Sequence, residues 1–277
     1  MDDEEKNQIE GDSRARWAFG VLIALGVFAG VSLLLVVSHV LLSQREGSRR
    51  ERCEYNLSQL YRATCEYVDA YGTYPPAYTV DSEGTPLHSW RVLLLPYLGE
   101  EDLYSQIRLN EAWNSEWNSQ FWDKTPSLFQ CSSIPVHSAD GSENRDKTKR
   151  CSFSCVLGIS TLFPSNGKTV SPDEVVDGVS NTVVYVERRD PVNWMSPEDE
   201  LTEEQALREN ELPASRREGL GSWHGAGGYV LLADGSTRFL SEKIDTSVLK
   251  LLLNIDDSKV VEEKNDGVVD EETEENK

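Results

Sequence analysis

Residues 17–42 carry no charged side chain, and they are the one such stretch in an otherwise polar, acidic chain. At about 1.5 Å rise per residue they make a helix of roughly 39 Å, longer than the ~30 Å hydrocarbon core of a bilayer. A spanning anchor is the expectation. A cleaved secretory signal fits poorly, because such a signal opens with basic residues and has a short apolar stretch before a small-residue cleavage site. Here the chain opens Met1-Asp2-Asp3-Glu4-Glu5, and the apolar run ends in Leu41-Leu42-Ser43-Gln44-Arg45. His39, near the end of the run, can sit neutral at the interface and is given no function.

Between the anchor and the acidic C-terminal segment lie a little over 200 residues, enough for one domain with a real core. Twenty-seven basic against 48 acidic side chains give a net charge of −21. That balance repels nucleic acid, so no nucleic-acid partner is expected. Lys6, Arg14 and Arg16 precede the apolar run while Arg45, Arg49, Arg50 and Arg52 come after it. Counted alone, this mildly favours the larger domain inside, although long domains translocate largely regardless of charge.

Beyond the anchor the pattern stays helical: Cys53, Leu57, Leu60, Thr64, Tyr67, Val68 and Tyr71 recur at steps of three and four. Gly72 and Pro75-Pro76 then stop the helix. Two short helices are predicted around residues 90–98 and 103–107, short strands over 128–131 and 152–157, and a β-branched strand over 181–187. An acidic helix capped by Ser196 is expected over 197–208, and a short apolar helix over 246–253. Asp234-Gly235 between two apolar runs reads as a tight hairpin in which both central residues take positive φ. The resulting division is an acidic N-terminal tail (1–16), a transmembrane helix (17–42), its extension (43–72), a head domain (73–255) and a disordered acidic tail (256–277). The fold class is α+β, a long N-terminal helix followed by an antiparallel sheet.

Five cysteines, an odd number, leave at least one without an intrachain partner. Cys53 and Cys65 lie twelve positions apart on one predicted helix, about 18 Å along its axis and too far for a bridge. Cys131 with Cys151 or Cys155 is the plausible pair in an oxidising compartment. A zinc site is the rival, but the sequence has no C-x-x-C pair and no nearby histidine to support it, so no metal or cofactor is expected.

The segment from His224 through Gly-Ala-Gly-Gly-Tyr-Val-Leu-Leu-Ala to Asp234-Gly235 forms an H-x9-D-G motif. With the blocks starting at Cys53, Tyr71, His88, Asp177 and Trp194, it resembles a large bacterial family of prepilin-like, membrane-anchored proteins of unknown function. The resemblance spans residues 52–261. It implies the architecture of type IV pilins and type II secretion pseudopilins: a membrane helix running into a β-sheet head outside the cytoplasmic membrane. The chain departs from the prepilin pattern in having no basic leader, no Gly before a mature Phe and no Glu five residues into the apolar run. A permanently anchored relative that does not polymerise is the expectation.

His224 and Asp234 invite an acid–base or metal reading, yet Asp-Gly suits a turn, and Gly225, Gly227 and Gly228 suit close backbone packing. His224, Asp234 and Gly235 are therefore read first as structural. Asp140, Ser142, Asn144 and Asp146 alternate like calcium ligands, but Arg145 stands where a calcium loop needs glycine. Trp90, Trp113, Trp117 and Trp122 with Tyr97 and Tyr104 raise a second possibility, a membrane-tethered module binding a glycan or peptide. No nucleophile elbow, H-E-x-x-H, phosphate loop or dinucleotide fingerprint occurs, so the chain is not expected to be an enzyme. The leading expectation is a structural or interaction component of the cell envelope, anchored in the inner membrane with its head outside and other envelope or pseudopilin-like proteins as partners.

Overall fold

The computed structural model describes residues 3–131, 150–210, 220–222, 224, 227–256, 260–264 and 267–271. The chain divides into two compact units, Met1–Ser48 and Arg49–Lys277. Both draw on α1 (Asp3–Tyr71), which ends at Gly72, whose φ of 76° places it in the left-handed conformation of a helix C-cap. Gly26–Tyr71, within α1, is a helix long and apolar enough to cross a membrane. Val27, Phe28, Leu33, Leu34, Leu35 and Val36 in the first unit all point outward, a surface stable in lipid and costly in water.

In the second unit α1 is followed by β1 (Tyr78–Val80), β2 (Pro86–Ser89), α2 (Trp90–Leu94) and α3 (Glu101–Gln106). Next come β3 (Cys151–Ser154), β4 (Val156–Gly158), β5 (Phe163–Pro164), β6 (Val183–Val192), β7 (Leu201–Thr202) and α4 (Glu203–Asn210). The chain then forms β8 (Gly227–Leu232), β9 (Thr237–Ser241), α5 (Thr246–Leu253), β10 (Val260–Lys264) and β11 (Gly267–Glu271). The central sheet is antiparallel, in the order β3-β6-β8-β9, while β5-β4-β7 form a small parallel sheet. The α+β class is thus observed. The β10–β11 pair occupies part of the tail whose composition predicted disorder.

Side chains alternate across a strand, and the two faces of the sheet carry two separate cores. Tyr229 and Leu231 of β8 join Tyr185 of β6 against α1, where Cys53, Leu57, Leu60, Ala63 and Tyr67 form the buried stripe. Val230 and Leu232 point the other way, toward Val248, Leu249 and Leu252 of α5. A register shift between Val183 and Tyr185 turns Val184 and Tyr185 to the α1 face together. Trp90 stacks on Tyr185 at 4.0 Å between ring centroids, and the Tyr185 hydroxyl lies 3.2 Å from that of Thr64. Helix, short helix and sheet therefore meet at one buried point. Of the predicted stripe, Tyr71 is exposed, because the helix has by then run past the sheet's apolar cover.

Three local expectations need correction. Residues 128–131 contain no strand; Ser127–Phe129 is a 3-10 turn begun by Pro126, whose ring fixes φ and which donates no N–H to a ladder. The acidic helix starts at Glu203, not Pro197, since Leu201–Thr202 first pair with β4 and bury Leu201. The β8–β9 connection is a three-residue loop rather than a two-residue turn: Gly235 N donates to Leu232 O, and Leu232 N donates to Ser236 O. In that geometry the left-handed residue comes last, which is Gly235 with φ 87°.

A Cβ at Gly235 would also stand 2.5 Å from the Tyr61 ring of α1. Gly235→Ala is expected to lower stability by about 1–2 kcal/mol, from the left-handed backbone alone, with ring displacement adding to it. Chemical unfolding of the full chain in detergent checks this, and an unchanged midpoint would contradict the turn assignment.

Candidate metal centre

Four side chains from four separate segments converge beneath the central sheet. Cys53 comes from the buried stripe of α1, Cys131 from the chain just after the 3-10 turn at Ser127–Phe129, Glu187 from β6 and His224 from the approach to β8. Strand alternation explains Glu187: two residues beyond Tyr185, it shares that residue's α1-facing side. Its ligand-type atoms and those of the other three all lie within 4.8 Å of one another, and all four residues are buried. His224 Nε2 is 3.2 Å from Cys53 Sγ, 3.4 Å from Cys131 Sγ and 3.5 Å from Glu187 Oε1. The two sulfurs are 3.4 Å apart.

Glu187 Oε2 accepts the Tyr229 N–H at 3.2 Å, whereas Oε1 accepts no hydrogen bond although it is buried. Burial, and next the Cys131 thiol, hold the Glu187 carboxyl well above the ordinary carboxylate range. The backbone carrying His224 is fixed from outside the cluster. Its N–H donates to Ser222 Oγ at 3.0 Å, and its carbonyl accepts from the Arg50 guanidinium at 2.9 Å. Gly227 and Gly228 allow the chain to press in after it, since a Cβ at Gly227 would meet Leu240 O at 2.0 Å. The close-packing role expected for glycines here thus holds at Gly227 and Gly228, while Gly225 lies outside the described residues. Next to Glu187 lies a small, partly open pocket lined by Leu220, Gly221, Tyr229 and Leu240.

The expected bridge from Cys131 to Cys151 or Cys155 is not formed; the structure sets Cys131 against Cys53 instead. Cys151 donates to Phe153 O, and Cys155 donates to Glu200 through both its backbone N–H and its thiol. These two cysteines belong to a second buried polar group, centred on the ion pair of Arg91 with Glu200. Arg91 also donates to Phe153 O, and Arg188 donates to Ser154 Oγ. Burial pushes both thiols up, with Glu200 adding to the effect at Cys155, which leaves them protonated and inert. Here donors and acceptors match, as a structural network requires.

His224 and Asp234 do not meet. The six residues of β8 lie between them and alone span about 17 Å. Asp234 accepts the N–H and hydroxyl of Ser236 inside the loop, an ordinary turn duty. The calcium-like residues Asp140, Ser142, Asn144 and Asp146 lie outside the described residues. In the aromatic segment Trp90 is fully buried, Trp113 packs on Trp122, and the Trp117 indole donates to Gln106 O while Arg108 covers its ring.

A model of the family described as Protein of unknown function (DUF1559) matches residues 43–208. The chain belongs to this family. The match covers Cys53, Cys131 and Glu187 and stops short of His224 and the Asp234-Gly235 loop. No curated protein and no solved structure matches the chain. Family membership and the N-terminal apolar helix fit a single-pass membrane protein of unknown function.

Sequence reasoning missed Cys53 and Glu187, and the one available signal was Cys53 on the apolar stripe of its helix. For the Arg91 group, Glu200→Ala is expected to cost about 3–5 kcal/mol, because it leaves a buried guanidinium without its counter-charge. Denaturant unfolding reads the loss, and a change under about 1 kcal/mol would show the pair to be dispensable.

Proposed function

We propose that this chain is a permanently membrane-anchored, pseudopilin-like component of the bacterial cell envelope, with its α+β unit outside the cytoplasmic membrane and a structural or interaction role. One observation carries the reading: α1 includes an outward-facing apolar stretch fit for lipid and, further along, the stripe that fills the core of the α+β unit. A helix used in this double way is also the plan of pilin-like proteins. The H-x9-D-G resemblance adds to the reading. An apolar run without the glutamate of polymerising pilins argues for an anchor that stays in lipid. Its partners are the membrane and other envelope proteins of similar build.

No catalytic activity is assigned. The motif's histidine and aspartate stand at opposite ends of a strand, too far apart to share a proton. The glycan or peptide reading finds less support, since the indoles of Trp117 and Trp122 already donate to backbone carbonyls within the chain.

Protease added to intact spheroplasts tests the proposal. The full chain is expected to sediment with membranes, to resist alkaline carbonate, and to be trimmed from outside to a fragment containing residues 17–42. A head cut only after lysis, or a chain soluble without detergent, would overturn it.

A further inference from the structure

We propose that Cys53, Cys131, Glu187 and His224 form a closed, four-ligand site for a zinc ion that fastens α1 to the central sheet. His224 Nε2 has either one hydrogen to give or one lone pair, yet two sulfurs and a carboxylate oxygen crowd around it at 3.2, 3.4 and 3.5 Å. Hydrogen bonding can satisfy one of these three contacts. A cation at the centre satisfies all of them, because each neighbour then offers its lone pair inward and none needs to bond to another.

The dimensions agree. Zn–S bonds of about 2.3 Å and Zn–N or Zn–O bonds of about 2.0–2.1 Å at tetrahedral angles place sulfurs about 3.8 Å apart, sulfur and nitrogen about 3.6 Å apart, and nitrogen and oxygen about 3.4 Å apart. The observed edges are 3.4 Å between sulfurs, 3.2 and 3.4 Å from sulfur to nitrogen, and 3.5 Å from nitrogen to oxygen. Four of the six edges thus stand within a few tenths of an ångström of a tetrahedral zinc shell, and the two between Glu187 and the sulfurs lie within 4.8 Å. Glu187 Oε1, buried and accepting no hydrogen bond, has the ligand position as its remaining use.

Ligand type selects the metal. Two sulfurs, an imidazole and one carboxylate suit zinc, while calcium and magnesium want oxygen shells of six or more. With four protein ligands, all buried, no position is left for water or substrate, which makes the site structural rather than catalytic. Two thiolates and a carboxylate outweigh the ion by one negative charge, and the Arg50 guanidinium stands nearby on the His224 carbonyl. The ligands come from residues 53 to 224, so one ion would cross-link segments far apart in the chain.

The test uses the full chain purified in detergent under reducing conditions. Elemental analysis is expected to find about one zinc per chain. Replacement by Co2+ is expected to give thiolate-to-cobalt charge transfer together with the intense visible bands of tetrahedral cobalt. Cys53→Ser, Cys131→Ser, Glu187→Gln and His224→Gln should each lower bound zinc at least tenfold, while Cys65→Ser and Gly235→Ala keep it. Should the ligand variants fail to fold, the wild-type chain still decides: chelator should lower its thermal midpoint, and Zn2+, not Mg2+, should restore it. A wild-type chain that carries no zinc and shows no cobalt–thiolate band overturns the proposal, as does a Cys53–Cys131 disulfide in chain isolated from cells. None of these readings depends on which side of the membrane the α+β unit occupies.

Discussion

Everything in the α+β unit is arranged around the stripe that α1 lays on the central sheet. Leu57, Leu60 and Ala63 are fully buried there, and Thr64 answers its own polarity by donating to Leu60 O one turn back. A sheet with one apolar face could rest on a single helix; this one has two, and α5 closes the other side with Val248, Leu249 and Leu252. Removing either cover would expose β-branched and aromatic side chains along strands whose neighbours already satisfy their backbones. The stripe is also where the polar exception enters, since Cys53 continues the same helical face as Leu57 and Leu60 but ends in a sulfur turned toward Cys131 and His224.

The two buried polar groups show how differently such groups can be resolved. Around Arg91 the guanidinium finds Glu200 and a backbone carbonyl, and Cys155 caps the remaining carboxylate oxygen, so that the donors of Arg91 and both oxygens of Glu200 are met within the protein. Around His224 the network does not close in this way: Nε2 has two sulfurs and a carboxylate oxygen about it and can bond to one of them, while Glu187 Oε1 accepts no hydrogen bond. A buried network that closes on itself explains itself by structure. One whose ligand atoms converge on a single point and leave a buried carboxyl oxygen unmatched has a place for a further positive group, which is the physical content of the zinc proposal.

What the sequence made legible was local. The stripe from Cys53 to Tyr67, the apolar helix Thr246–Leu253 and the strand flanks of Asp234-Gly235 each announce themselves within a dozen residues, through period, cap or turn chemistry. The structure adds the cap of α5, Asp245, which accepts the Ser247 N–H. Harder to read were elements that exist through a distant partner. Leu201–Thr202 is extended because β4 is there to pair with it, which displaces the start of the acidic helix to Glu203. The cysteine cluster is the extreme case. Metal sites legible in a sequence have ligands a few residues apart, whereas these four are gathered by tertiary packing alone, and His224 is near the two cysteines only in space.

The spacing in the motif now has a physical explanation that needs no chemistry between its ends. His224 must stand where the chain enters the sheet, at the level of Cys53 and Glu187, and Gly235 must stand where the chain leaves β8, against Tyr61 of the same helix. What separates the two duties is the length of the strand, six residues with a short lead-in and the start of the loop. Nine intervening positions thus measure a strand lying along α1 between a buried cluster and a turn, both of which touch that helix. An insertion or deletion of one residue would flip Tyr229 and Leu231 off the α1 face, or carry His224 out of reach of the sulfurs. The constraint on the motif is one of register, and the histidine and the Asp-Gly pair are its two fixed ends.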